Sequence, residues 1–552
     1  MKKSVIIIIA ASISILLAQI PDWEWAVNSG GLYDDYGKAV CTDIDGNVYF
    51  AGFFAGSANF NSVNVTSNGD KDIFIVKLDV NGNYHWLECA GGIGYDTVNS
   101  ITTDTHGNVY VTGRFQDSID FGSINLGAFG YNDIFVAKLD SSGNWLWAVK
   151  AGGIYWDEGF SISIDSEGNS YVTGSFAGTA SFGAINLSTS TSTENIFVAK
   201  LDADGEWLWA KGAGGSGWDR GTGIGIGTDE NIYITGYFGL YALFGSNSLM
   251  SNGSFDVFVA KMDTNGNWLW LENAGGIGYD EANALVIDND CNILITGKYQ
   301  DSASFGDEIL NSSLYYDNIF VSKLDSDGEW LWAKGAGGIY HDAGKAISSD
   351  ISGNVYITGF FRYFASFGSF DLSSTSIEYS DIFAAKLDID GNWIWARNAG
   401  SESEDHGLGI TINTEGNLFV TGRFEENASF GSNYLNSEGY SDIFIAKIRC
   451  NTLAVNELIP ADIRLSNYPN PFNPSTTINF SIDPNEQYEL SIYNLKGQIV
   501  KTFLVNSSTD LPINSVTWNG DDDSGEPVTS GVYLYKLKSG NTEISKKMLL
   551  MK

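Results

Sequence analysis

Five times along this chain an Ala-Gly-Gly run is followed, three residues on, by an aromatic side chain and an aspartate. The pairs are Tyr95-Asp96, Trp156-Asp157, Trp218-Asp219, Tyr279-Asp280 and His341-Asp342, with Asp34 and Asp405 as looser counterparts. Ring faces beside hydrogen-bonding carboxylates suit carbohydrate, a cationic peptide or calcium. If the chain gathers these pairs on one rim, that rim is the candidate ligand-binding site. The competing role is structural: each aspartate caps its own loop and each ring packs on a neighbour, which folding constraints alone also repeat.

Catalytic patterns are missing. The four histidines (His85, His106, His341, His406) show no metal-ligand or triad spacing, and no phosphate loop, nucleophile elbow or zinc motif occurs. Repeated turns such as Asp43-Ile44-Asp45-Gly46-Asn47 look like calcium loops at first sight, but the late acidic ligand of an EF-hand is absent. The D-x-x-G-x-W turns resemble the Asp-box of sialidase-type propellers, itself a structural turn. No catalytic or metal-ligating residue is therefore assigned and no cofactor is required; calcium is retained as a ligand the rim could take.

What must position the rim is a repeat. The segment DIFIVKLD (72–79) recurs as DIFVAKLD (133–140), NIFVAKLD (195–202), DVFVAKMD (256–263), NIFVSKLD (318–325), DIFAAKLD (381–388) and DIFIAKIR (442–449), at intervals of 61 to 63 residues. A fixed period of this length signals a modular fold. Each unit reads as four strands, in the third copy FSISID (160–165), SYVTGSF (170–176), NIFVAKLD (195–202) and EWLWAKGAG (206–214). D-x-x-G-N and D-x-x-G-E turns join them as hairpins. The fourth strand carries aromatics at i and i+2, from Trp23/Trp25 and Tyr84/Trp86 to Trp393/Trp395, on one face of the sheet. Such pairs fill the space between stacked sheets. The expected fold is all-β: a seven-bladed β-propeller followed by a small Ig-like β-sandwich.

The repeat is out of phase with the chain. A fourth-strand motif at Trp23–Trp25 precedes any other strand, and the last unit ends near Ile448 without one. Residues 22–28 are expected to pair with 442–449 and close the last blade, removing an open sheet edge.

The run G-x-I-x-x-D-x-x-G-N-V-Y-V-T-G with D-I-F-V-A-K-L-D resembles the bacterial SBBP β-propeller repeats, kin to NHL-type and YVTN-type propellers, over residues 22–449. The resemblance implies fold and not activity. A departure is the long connection between second and third strands, such as 177–194 with its A-S-F-G, which is expected to add a short hairpin.

The N-terminal Lys2, Lys3, the apolar Val5–Leu17 and the small Ala18 have the layout of a signal peptide over 1–18. No later segment is apolar enough to span a bilayer, so no transmembrane segment is expected in the mature chain. A net charge of −37 argues against nucleic acid and acidic membranes as partners. The four cysteines (Cys41, Cys89, Cys291, Cys450) form no disulfide framework and are expected to be free, mostly buried thiols.

After a linker at 450–464 the chain changes character. Tyr468-Pro469-Asn470-Pro471-Phe472, then Pro474, sets an extended entry into alternating apolar segments broken by Gly- and Asp-rich turns. Residues 465–552 closely resemble the type A C-terminal sorting domain of the type IX secretion system, Ig-like and akin to the flagellar hook-capping protein. The resemblance implies the type IX secretion machinery as a partner, and a protein secreted or attached to the outer-membrane surface.

Taken together, the expected protein is a secreted or surface, non-catalytic propeller of residues 19–449, acting in binding, adhesion or as a scaffold on a carbohydrate or protein ligand. The alternative is a secreted enzyme acting on polysaccharide, a lyase or glycoside hydrolase, which needs one blade to break the pattern.

Overall fold

The computed structural model describes residues 21–449 and 465–550, apart from 190–192, 313–315, 469–471, 482–487, 495, 497, 506–512 and 540–541. The expected signal peptide (1–18), the linker (450–464) and Pro469, Asn470 and Pro471 lie outside the described residues. The chain divides into two compact units, Met1–Asn451 and Thr452–Lys552, and every regular element described is a β-strand.

In the first unit the third repeat shows the plan. Its strands Glu158–Ile164, Ser170–Ala177, Glu194–Leu201 and Trp207–Gly215 pair in sequence order as an antiparallel meander. Seven such four-stranded sets occur among the described residues. The second and third strands are buried almost throughout, as strands covered on both faces must be. The fourth strand, at the outer edge, alternates in exposure. First strands lie beside one another around a ring, and His406–Ile412 of the seventh set lies beside Tyr36–Thr42 of the first.

The seventh set takes its fourth strand from the other end of the unit. Trp23–Gly31 runs antiparallel to Asn433–Arg449, with Trp23 opposite Ile448 and Val27 opposite Ile445. Trp23 is buried, and its indole N–H donates to the Asn398 carbonyl at 3.2 Å.

The connection between second and third strands does form a hairpin, but it joins the neighbouring sheet. Thr179–Phe182 and Ile185–Ser188 extend the second repeat by pairing with Trp145–Gly153. Hairpins of three other repeats pair likewise with the preceding fourth strand, and the remaining three bridge to it at Gly91–Asp120, Gly337–Ser366 and Gly400–Ser429. The Phe of A-S-F-G is the anchor. Phe182 is fully buried, 5.0 Å from Phe197 and edge-on to Trp207 at 5.1 Å. The following Gly183 turns at φ +60° against the Trp207 ring, where a side chain would be strained.

The second aromatic of each pair works in the same interface. The Trp147 indole N–H donates to the Ala203 carbonyl in the next repeat at 3.0 Å, and Trp86, Trp209, Trp270 and Trp332 make the equivalent bond. These rings are packing elements.

The second unit holds two antiparallel sheets, one of Leu465–Tyr468, Thr476–Ser481 and Ile513–Trp518, the other of Ile499–Val505, Tyr488–Asn494, Gly531–Ser539 and Thr542–Leu550. Their apolar side chains meet in one core. Phe472 of the proline-rich entry is buried 5.5 Å from Trp518, which stands edge-on to Tyr533 at 5.1 Å; Pro474 is exposed. Cys41 and Cys89 are half-buried free thiols and Cys291 is a buried one; Cys450 lies outside the described residues.

Candidate functional site: the loop-bearing face and the channel mouth

The rim aspartates are buried in their own connections. Asp96, Asp157, Asp219, Asp280, Asp342 and Asp405 are each 0 % exposed, and the seventh member is Asp35 rather than the expected Asp34, which is half-buried. Each is consumed by its own loop. One Asp157 oxygen accepts from the Gly153 amide at 2.7 Å and the other from the Ala177 amide at 3.0 Å. Asp96 does the same with Gly92 and Gln116, Asp280 with Gly276 and Gln300, and Asp405 with Ser401 and Glu425. Buried backbone amides at a tight connection need acceptors, so the aspartate is spent on the fold. Burial pushes these acids up, Asp157 to about 7 and Asp405 to about 8.

A second buried acid stands nearby. Asp133 opens a third strand, and Gly152 (φ +143°) lies between it and Asp157; a Cβ there would be 2.6 Å from one carboxyl and 3.1 Å from the other. This explains why the first glycine of the pair recurs in every repeat, whereas the second is Ser401 in the seventh.

The aromatic members of the rim are on the surface. Trp156 is 51 % and Trp218 52 % exposed; Tyr279 and His341 are also exposed, while Tyr95 is half-buried under Lys71 and Arg114. Neighbouring loops add rings: Tyr131 stacks on Trp156 at 5.9 Å and Tyr316 meets His341 edge-on at 5.0 Å. The residue after the double glycine is an exposed aliphatic in five repeats (Leu32, Ile93, Ile154, Ile277, Ile339). Bridges such as Asn132–Trp156 and Phe255–Tyr279 place the two sets of loops on one face. An apolar collar thus surrounds it, and sequence reasoning missed its aliphatic half.

The Asp-Gly turns are saturated by their own groups. Asp43 accepts from the Asp45 and Asn47 amides, the Asn47 side chain and the Tyr49 hydroxyl, all at 2.8–3.0 Å. Among the described residues no group of three or more His, Cys, Asp or Glu is placed to hold a metal ion.

The repeats are not interchangeable where their first strands face the channel. Each first strand carries a β-bulge at its third residue, between Gly37 and Ala39 in the first repeat and Gly344 and Ala346 in the sixth. A bulge re-aims its side chain. The seven bulged residues are Lys38, Asn99, Phe160, Thr222, Asn283, Lys345 and Leu408, and all line one cavity of about 380 Å³ together with Glu158, Arg220, Tyr237 and Glu281. Three tie neighbouring strands: Asn99 donates to the Gly159 carbonyl, Thr222 to Ala282 and Asn283 to Gly344. The first strand is where the copies diverge, and comparing them position by position would have found this ring.

Charges at this mouth are mostly paired. Arg114 meets Glu158 at 3.0 Å, Lys298 meets Glu281 at 3.3 Å, Arg220 clasps Glu194, Arg423 meets Glu425 at 3.3 Å, and His406 meets Glu404 at 3.0 Å. Arg114, Arg220 and Arg423 are thus each held by one of the protein's own carboxylates.

Residues 466–551 match the family described as a secretion system C-terminal sorting domain, and residues 90–114 match the β-propeller repeat called SBBP. An uncharacterized WD repeat-containing protein of Acanthamoeba polyphaga mimivirus is 23 % identical over 507 residues; the match covers 73 % of this chain and 36 % of that protein, so the chain spans about a third of it. Similar solved structures include a puromycin hydrolase mutant (9 % identity, 81 % of this chain and 59 % of that one, TM-score 0.39). PorZ, a surface component of the type IX secretion system of Porphyromonas gingivalis, is 10 % identical (95 % and 100 % covered, TM-score 0.16). YCF48 bound to D1 peptide is 9 % identical (79 % and 99 % covered, TM-score 0.34). No helix among the described residues is long and apolar enough to cross a membrane. The chain is an all-β propeller protein that carries an SBBP repeat and a type IX C-terminal sorting domain, and the sorting domain marks it for export to the cell surface or beyond.

Proposed function

We propose that this is a non-catalytic binding module: a seven-bladed propeller over residues 19–449, delivered by the sorting domain at 465–552, that serves in adhesion or as a scaffold. It holds an extracellular carbohydrate or protein ligand on its loop-bearing face. The observation that carries this reading is the collar of exposed aromatic and aliphatic side chains there, centred on Trp156 and Trp218. Large apolar side chains exposed on one face of an exported protein suit a partner, and exposed rings with polar edges suit sugar faces or a protein surface. The rim carboxylates take no part in this proposal, and the chemistry needs no cofactor.

The test is a glycan array probed with the mature full-length protein, with and without calcium. A hit should weaken roughly tenfold or more on Trp156→Ala with Trp218→Ala, since exposed aromatic anchors dominate such contacts. A hit that keeps its affinity in the double variant removes the collar as the binding surface, and cleavage of the hit glycan overturns the non-catalytic reading.

A further inference from the structure

Two of the seven bulge residues are unlike the rest of the channel mouth. Lys38 and Lys345 belong to the first and sixth repeats, so only Leu408 of the seventh separates them around the ring. Neither has a carboxylate within ion-pair distance among the described residues, although the acids around them are all paired to other bases. Lys345 stands 5.7 Å from the Phe360 ring. Burial lowers both ammonium groups, opposed by Glu158 at Lys38 and by Glu281 and Asp317 at Lys345, where Lys298 and Lys38 add to the effect and the group falls to about 8. An acidic chain of net charge −37 thus places two partly desolvated cations, neither in a direct ion pair, in one cavity. Burying such charges costs stability, which Glu158 and Glu281 on the same cavity wall offset only without direct contact, each being paired with another base. Across the ring the cavity offers the Phe160 ring and the Thr222 hydroxyl, with Asn99 beside Lys38 and Asn283 beside Lys345, and Tyr237, Arg220 and the two paired carboxylates Glu158 and Glu281 complete its lining.

We infer that the channel mouth binds a small carboxylate-bearing sugar, a uronic acid or a short oligosaccharide ending in one, with its carboxylate between Lys38 and Lys345 and its ring against the Phe160 side. The cavity volume, about 380 Å³, lies at the small end of ligand pockets. A cation pair on one side and an aromatic with a hydroxyl on the other fits a ligand with one anionic and one hydroxylated end. The site is separate from the aromatic collar and does not depend on it.

Calorimetry on the mature full-length protein with glucuronate, glucose and inorganic sulfate decides this. Glucuronate should bind at pH 7 and glucose at least roughly tenfold more weakly, the loss expected of a charge-assisted contact. Lys38→Met with Lys345→Met should abolish glucuronate binding while leaving the melting temperature unchanged or higher. Raising the pH to 9.5 should weaken binding as Lys345 loses its proton among Glu281, Asp317, Lys298 and Lys38, whereas Lys345→Arg should hold its affinity there because guanidinium stays charged. Trp156→Ala with Trp218→Ala should change nothing, which separates failure here from failure of the collar. Equal affinity for glucose, binding of sulfate alone, no glucuronate binding, or glucuronate binding that survives the double lysine variant overturns the proposal.

Discussion

Asp157 shows how one residue type can look like a site and be a joint. It follows an exposed tryptophan in a loop, the setting of a ligand-binding acid, yet both its oxygens hold backbone amides 4 and 20 residues away. Removing such an acceptor strands two buried donors, each costing about 1–3 kcal/mol. Asp157→Ala should therefore lower the unfolding free energy by about 2–5 kcal/mol in denaturant titration, with no change in the affinity for any collar ligand once folded. Equal stability of variant and parent would return the carboxylate to the list of ligand contacts. The sequence could not separate these roles, because a capping residue and a repeated ligand both recur at the same place in every copy. Burial decided it, and burial is a property of the packed loop. Lys38 and Lys345 were harder still: their importance lies in what does not face them, which no spacing encodes.

At the scale of elements much more was readable. The four-strand unit, its Asp-Gly turns and the paired aromatics follow from period and propensity, and the strands fall within a residue or two of the sequence reading. The partner of the inserted hairpin was not readable, because edge pairing depends on which sheet lies alongside. Each hairpin clasps the preceding sheet, so neighbouring repeats are joined by hydrogen bonds as well as by side chains. The N-terminal strand is the extreme case of the same device. It supplies the outer strand of the seventh set and buries Trp23 against Phe430 at 5.1 Å. Deleting residues 22–28 exposes the backbone edge of 442–448 and removes the indole from its site. The deleted protein should elute as a dimer or larger, or lose its cooperative melting transition. A monomer with the parent's melting curve would show that the strand is dispensable.

For the whole propeller unit, the buried acids and the surface charge act in the same direction with pH. The connection aspartates and those opening third strands (Asp72, Asp133, Asp381, Asp442) are raised by burial, to between about 6 and about 8. A raised acid holds its proton more tightly folded than unfolded. Its stabilising contribution is full at low pH and is lost as pH rises from about 4 through the shifted value. Unfolding midpoints should therefore be higher at pH 5.5 than at pH 8.5. Relief of surface repulsion in a chain of net charge −37 has the same sign, so the slope alone does not identify the cause. Asp133→Asn separates them. Two repeats already use Asn at this position, Asn195 and Asn318, and the Asn195 amide donates to a neighbouring backbone carbonyl. One Asp133 oxygen is buried without a hydrogen-bond partner. An amide there keeps the acceptor for the Phe129 N–H and has nothing to ionise. The variant should gain about 1–3 kcal/mol at pH 8.5, the value of one to two pKa units, and little or nothing at pH 5.5. A variant whose stability parallels the parent's at both pH values would place the pH dependence on the surface charge instead.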